Sequence, residues 1–174
     1  MEIHRTEMLQ AHDGELSVVQ YVGLFEHTGN IRQAILQLKY QEKKHLSRSL
    51  AMLMTAELDG QEKCDVVTWA PTTTHRRQKR GFDQSELIAR HCAAQIGVRH
   101  ARLLRRDNDG RQTGSGREER LARPSFVSRP GLNGKYVWVI DDVMTTGATL
   151  RACAEALVIG GAARVMCIAV SWVK

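Results

Sequence analysis

The alternation of apolar and polar positions divides the chain into short segments of two kinds. Ser17 to Phe25 (SVVQYVGLF) is rich in β-branched and aromatic residues and predicts a strand, with a partner strand around Ile3 before it. From Asn30 the apolar positions Ile31, Ala34, Ile35 and Leu38, then Leu46, Leu50, Leu53 and Met54, recur at helical spacing, broken by the polar stretch Gln41 to Lys44. Two consecutive helices are predicted there. Asp59-Gly60 ends the run, and Asp65 to Pro71 (DVVTWAP) predicts a buried strand leading into a polar, basic loop. Phe82 to Ile96 has the pattern of an amphipathic helix, with Asp83 or Ser85 to cap it and Gly97 to stop it. Val98 to Leu104 predicts a short strand, Tyr136 to Ile140 (YVWVI) a fully apolar one, Thr146 to Ile159 an Ala-rich helix and Arg164 to Val170 another apolar strand. Strands and helices that alternate in this order imply an α/β fold, a mostly parallel sheet covered on both faces.

Composition narrows the class. A chain of 174 residues with 43% hydrophobic and 25% charged residues and only three prolines reads as one domain over 1–174, not as a disordered or collagen-like protein. The net charge of +6 calls for an anionic partner: nucleic acid, an acidic membrane surface or a phosphorylated metabolite. The charge is uneven. Residues 75–80 carry a net +4 and residues 99–123 another +4, while the rest of the chain sums to −2. That distribution puts the attraction for an anion in two segments of a slightly acidic body, with nucleic acid still open. The four cysteines, Cys64, Cys92, Cys153 and Cys167, have no zinc-ribbon spacing and read as buried thiols of a reducing compartment. The first residues, MEIHRTEMLQAHDGE, lack the apolar run of a signal peptide or membrane anchor, so the expectation is a cytoplasmic protein without membrane contact. No Walker-type loop is present.

The chemistry concentrates in Val137 to Leu150, VWVIDDVMTTGATL, where an apolar strand runs into Asp141 and Asp142 and a Thr-Thr-Gly turn opens the next helix. Ligands of open α/β sheets bind at such carboxyl ends of strands. The first turn of a helix offers free backbone N–H groups and the positive end of the dipole, both suited to phosphate. The hydroxyls of Thr145, Thr146 and Thr149 add donors, and Gly147 lets the backbone approach closely. Two carboxylates beside that loop would repel the phosphate, so they address another part of the ligand, such as vicinal sugar hydroxyls, with Mg²⁺ held nearby. A solvated strand end and a Thr-rich cap account for either half alone, but not easily for the whole string.

This string, an apolar strand, two acids, an apolar residue, any residue, Thr-Thr-Gly, any residue and Thr, resembles the 5-phosphoribosyl-1-pyrophosphate (PRPP) signature of type I phosphoribosyltransferases at every position. The resemblance implies that family's fold, a mostly parallel sheet of about five strands flanked by helices, with a small hood or edge elements from about residues 1–30. It implies that Asp141 and Asp142 contact the ribose hydroxyls, and touch a metal indirectly through ligand and water. It also implies that Thr145, Thr146, Gly147, Ala148 and Thr149 cradle the 5′-phosphate.

After Pro71 comes TTTHRRQKRGFDQSELIAR, with Arg76, Arg77, Lys79 and Arg80 close together. A run of this kind is often a solvated face, but its place after a strand and before a helix suits a leaving pyrophosphate. The family places its pyrophosphate loop here, which by resemblance assigns Thr72, Thr73, Thr74, His75, Arg76 and Arg80 to that group. Arg80-Gly81-Phe82-Asp83-Gln84 further resembles the RGFNQ segment of the ComF subgroup, as do Lys39-Tyr40, Gln112-Thr113 and Arg117 to Arg120, so the likeness covers roughly residues 30–172. Two departures stand out. Asp83 replaces the more usual Asn, a change expected to matter little. The four-cysteine zinc module common at the amino terminus of ComF proteins is missing from this sequence, which puts any role in DNA handling in doubt.

Arg105 to Arg123 holds six arginines, and the stretch from 105 to 130 has little apolar periodicity. It reads either as a surface loop or as the mobile loop that family members close over PRPP, excluding water from an oxocarbenium-like transition state. Arg111 and Arg117 are the candidate cations of that loop. His75 is left open between phosphate ligand and plain exposed histidine. His4, His12, His27, His45, His91 and His100 show no ligand spacing and stay unassigned, and Trp69, Trp138 and Trp172 are read as core. The expectation as a whole is a Mg²⁺-dependent, PRPP-binding phosphoribosyltransferase, a homodimer by family habit. It would transfer the phosphoribosyl group to a small nitrogenous acceptor, with Asp141, Asp142, Arg80, Arg111 and Arg117 at the chemistry. The competing reading is a PRPP or nucleotide sensor, or a nucleic-acid-binding protein of DNA uptake, on the same fold.

Overall fold

The computed structural model describes residues 2–11, 14–107 and 124–174. Among the described residues, eight strands and five helices follow one another as β1 (Glu2–Gln10), β2 (Leu16–Glu26), α1 (Gly29–Tyr40), α2 (Leu46–Glu57), β3 (Val66–Trp69), α3 (Thr74–Arg80), α4 (Gln84–Ile96), β4 (Arg99–His100), β5 (Leu104–Arg106), β6 (Phe126–Ser128), β7 (Tyr136–Met144), α5 (Ala148–Ile159) and β8 (Arg164–Trp172). The main sheet has the order β1-β2-β8-β7-β3-β4. Five of its strands, β2, β8, β7, β3 and β4, run parallel, and β1 closes one edge in antiparallel pairing with β2. The parallel part thus has the five strands expected. The sixth, β1, is the strand anticipated near Ile3, so the described part of the first 26 residues forms the edge strand and its inner neighbour. A short antiparallel pair, β5 and β6, stands apart.

Parity along the strands explains the two layers. In β7, Trp138 and Ile140 join one apolar cluster and Val137 and Val139 the other, which is why YVWVI has no polar position. The first cluster lies under α1, α2 and α4, with Ile35, Leu38, Leu50, Met54 and Ile88 packed against Val22, Trp138 and Ile168. The second lies under α5, where Leu150, Cys153 and Leu157 meet Val19, Val139, Val165 and Cys167. Each large apolar side chain withdrawn from water in this way contributes about 1.5–3 kcal/mol. All four cysteines are free and buried, Cys64 and Cys92 in the first layer, Cys153 and Cys167 in the second. Trp69 and Trp138 are core as expected, whereas Trp172 is only partly buried.

Two expectations change. The basic stretch after Pro71 is not a loop throughout: residues 74–80 form α3, capped at Thr73, whose hydroxyl accepts the Arg76 amide at 3.3 Å, and closed by Gly81 at φ 73°. No side chain of α3 is buried, so the helix left no apolar period to read. The strand carrying the two acids does not stop before them either. β7 continues through Asp141 and Asp142 to Met144, because β8 keeps pairing with it as far as Trp172.

Candidate functional site

All five parallel strands point their carboxyl ends to one edge of the sheet, and the residues of interest gather there. Alternation along β7 sets Asp142 on the same side as Trp138 and Ile140, facing the α1 layer, and Asp141 on the opposite side. Asp142 is buried, Asp141 partly so. The amide of Asp142 and the hydroxyl of Ser85 both donate to Asp141 Oδ1, at 2.8 and 3.0 Å. Burial, then the charge of Asp142, raises the Asp141 carboxyl well above the ordinary carboxylate range, while these two donors and Lys39 oppose the shift. Asp142 Oδ1 lies 3.0 Å from the Lys39 ammonium, and its buried Oδ2 has no hydrogen-bond partner among the described residues. Ser171, across the β7–β8 pairing, donates to the Asp142 carbonyl at 3.4 Å and lies 2.8 Å from His27 Nδ1.

The turn after β7 leads straight into α5. Gly147 sits at the helix N-cap with φ 74°, a left-handed conformation that glycine adopts without steric cost. Thr145, Thr146 and Ala148 are exposed, Gly147 and Thr149 partly so, and the Ala148 amide donates to Thr146 Oγ1 at 3.4 Å. A cavity of about 30 Å³, the size of one small group, lies within this turn and is lined by residues 143–150 and Asp141. A larger cleft of about 610 Å³ opens on the flank of α5, between Arg5 and Tyr21 of the edge strands, Arg151, and Trp172. It shares residues 144–148 with the small cavity but contains neither acid. The acids and the small cavity are therefore the better candidates for ligand chemistry.

The third part of the site is the turn between β3 and α4. Asp83 caps α4 with Oδ1, which accepts the amides of Ser85 and Glu86 at 3.1 and 3.4 Å, and its Oδ2 accepts the Thr72 amide at 2.9 Å. Burial pushes the Asp83 carboxyl up, and those three amides hold it back. One side chain thus binds the start of the basic turn to the helix that presents Ser85 to Asp141. Arg80 donates to Gln84 Oε1 at 2.9 Å and lies over the Tyr40 ring at 5.2 Å. Arg106 of β5 donates to the Pro71 carbonyl at 3.4 Å. Thr74, His75 and Arg76 are exposed on α3, and Thr72 and Thr73 are partly buried before it. Among the described residues no contact of His75, exposed on α3, decides between the two readings left open for it.

The structure thus brings Asp141, Asp142 and the turn from Thr145 to Thr149 together, and ties Thr72 and Arg80 to them through Asp83, Gln84 and Ser85. Arg111 and Arg117 lie outside the described residues. Three residues near the acids carried no role in the sequence reading. The sequence marks Ser85 only as a cap and Lys39 only as part of a family likeness, and it gives His27 no ligand spacing. Among the described residues no group of three or more His, Cys, Asp and Glu side chains could hold a metal. Two carboxylates with one unpartnered oxygen do fit an ion that keeps most of its coordination from water and from a ligand's phosphates, which is how Mg²⁺ usually binds. No helix among the described residues is long and apolar enough to cross a membrane.

No family model matches the chain. A protein of Salmonella typhimurium named DNA utilization protein YhgH is 25% identical over 154 residues, covering 83% of this chain and 68% of that one. Its namesake in Escherichia coli K12 is 26% identical over 143 residues, covering 75% of this chain and 62% of the relative. The chain therefore spans about two thirds of the length of these relatives. Among solved structures, the adenine phosphoribosyltransferase of Leishmania tarentolae aligns with a TM-score of 0.51 at 13% identity, over 90% of this chain and 91% of that one. The enzyme of Leishmania donovani aligns with a TM-score of 0.51 at 14% identity, over 87% and 70%. At such identities the likeness concerns the fold: the chain has the α/β fold of type I phosphoribosyltransferases.

Proposed function

We propose that this protein is a PRPP-binding phosphoribosyltransferase of ComF-like type, which transfers a phosphoribosyl group to a small nitrogenous acceptor and releases pyrophosphate. The observation that carries the reading is the pair Asp141 and Asp142, anchored by Ser85 and Lys39 at the mouth of β7, directly before an open turn that encloses a small cavity. Carboxylates accept hydrogen bonds and the turn donates them, which matches the hydroxyls and 5′-phosphate of a ribose 5-phosphate unit. Thr72 to Arg76 and Arg80 would meet the pyrophosphate, with Arg80 held in place by Gln84 and Tyr40. Mg²⁺ would ride on the pyrophosphate and offset the negative charge that develops on it as it leaves. Withdrawing water from the ribosyl cation falls to elements that close over the bound sugar, for which the segment with Arg111 and Arg117 is proposed.

A second reading has its own support, since the relatives are named for DNA utilization. It keeps the sugar-phosphate site as a sensor, or uses the basic surface around α3 to bind nucleic acid. Titration calorimetry with PRPP, with and without Mg²⁺, on the wild type and on the Asp141→Asn/Asp142→Asn double variant tests ligand binding. Indifference to the double substitution would sink the site assignment. Pyrophosphate release screened over purine, pyrimidine and amine acceptors then separates enzyme from sensor. DNA affinity that falls steeply with salt would favour the nucleic-acid reading.

A further inference from the structure

Lys39 lies in the last turn of α1, and its side chain is largely withdrawn from solvent, 17% exposed against 6% for its partner Asp142. A lysine is rarely placed so deep unless a charge answers it. Its ammonium is 3.0 Å from Asp142 Oδ1, which leaves Oδ2 as the buried acceptor without a partner. Asp141, next to it, is held by neutral donors, the Ser85 hydroxyl and a backbone amide. Among the described residues, the lysine or arginine within ion-pair distance of the acid pair is Lys39. The following residue, Tyr40, packs its ring against Arg80, so the end of α1 touches both halves of the site.

We propose that Lys39 is the resident cation of the sugar site. It positions Asp142 and supplies the positive charge that a divalent metal would otherwise bring to the acid pair. Recognition of the ribose 5-phosphate half then needs no metal, and Mg²⁺ matters only for the pyrophosphate half. This inference rests on the reading of Asp141 to Thr149 as a ribose 5-phosphate site. An ammonium has three donors, so Lys39 can hold Asp142 Oδ1 and still donate to a ligand oxygen.

The test is calorimetry on the full chain with ribose 5-phosphate, once with chelator and once with Mg²⁺, and with inorganic pyrophosphate as the second probe. Wild-type affinity for ribose 5-phosphate is expected to agree within about twofold in the two conditions, whereas Lys39→Met loses about tenfold or more in chelator and regains part of it with Mg²⁺. Lys39→Arg stays close to wild type, and pyrophosphate affinity is unchanged in both variants. Lys39→Gln, which keeps a donor without the charge, makes the same comparison if Lys39→Met does not fold. The inference is overturned by wild-type binding of ribose 5-phosphate that requires Mg²⁺, by an uncharged variant that binds like wild type in chelator, or by an equal loss for pyrophosphate. A wild type that binds PRPP but not ribose 5-phosphate overturns this inference alone. One that binds neither overturns the proposed function with it.

Discussion

The hydroxyl of Ser85 donates to Asp141 Oδ1 at 3.0 Å across 56 positions of sequence. Ser85 is fully buried in the first turn of α4, the helix whose cap, Asp83, also holds the Thr72 amide. The basic turn and the acid pair are thus fixed to one another through a single helix end, and a ligand that spans both meets a frame already set.

Removing that bond tests the frame. Ser85→Ala leaves Asp141 Oδ1 with the Asp142 amide as its donor and is expected to cost about 0.5–1.5 kcal/mol. Ribose 5-phosphate affinity should fall roughly threefold to tenfold by calorimetry, with the melting temperature lowered by a few degrees at most. An unchanged affinity would show that Asp141 needs no fixing.

Asp83→Asn separates charge from geometry. Both carboxylate oxygens accept amides, Oδ2 from Thr72 and Oδ1 from Ser85 and Glu86. An asparagine has one acceptor oxygen, so it can keep the cap or the Thr72 bond but not both. The expected result is faster hydrogen exchange at the Thr72 amide and weaker pyrophosphate binding, with ribose 5-phosphate binding kept. The replacement expected to be neutral from sequence therefore has a structural cost in the reverse direction.

Gly147→Ala has space but the wrong backbone. A Cβ at this position would meet Met144 Sδ at an ordinary 3.8 Å, yet φ is 74°. Holding alanine in that region costs roughly 1–2 kcal/mol. Relaxation of the turn is expected to weaken inorganic phosphate and ribose 5-phosphate binding while thermal stability drops slightly. A crystal structure of the variant with the turn unchanged and full affinity would contradict this.

The Asp141 carboxyl gives a pH signature. Its folded value is raised above its unfolded one, so the folded state binds the extra proton between the two. Its contribution to stability is full below the unfolded value and is lost as pH rises towards neutrality. Asp141→Asn keeps a carbonyl oxygen for the Ser85 and Asp142 donors and removes the charge. The variant should melt higher than wild type at neutral pH, by about 2–4 °C for each kcal/mol recovered, with the difference vanishing in acid. Equal melting curves across that range would refute it.

The parts of this site that local sequence determines are legible in the sequence itself. The β7 run, the two acids and the Thr-Thr-Gly turn belong to one continuous segment, and their periods and turn chemistry announce themselves. The α3 helix did not, because THRRQKR buries no side chain and forms from its caps at Thr73 and Gly81. The strand through Asp141 to Met144 was cut short because carboxylates look like a loop until β8 is known to pair with them. Lys39 and Ser85 were not read as site residues for a third reason. Their contacts depend on how α1 and α4 pack on the sheet, and no spacing within either helix encodes an acid in another segment.

The four thiols divide between the two faces of the sheet, and burial pushes Cys64 and Cys92 up to about 12 and the other two higher than usual as well. The thiolate is the form that attacks alkylating reagents, so in the folded protein all four are protected twice, by protonation and by exclusion. Each layer consequently carries its own pair of silent chemical clocks. Labelling of Cys64 and Cys92 times the lifting of α1, α2 and α4, and labelling of Cys153 and Cys167 times the lifting of α5, without any engineered probe.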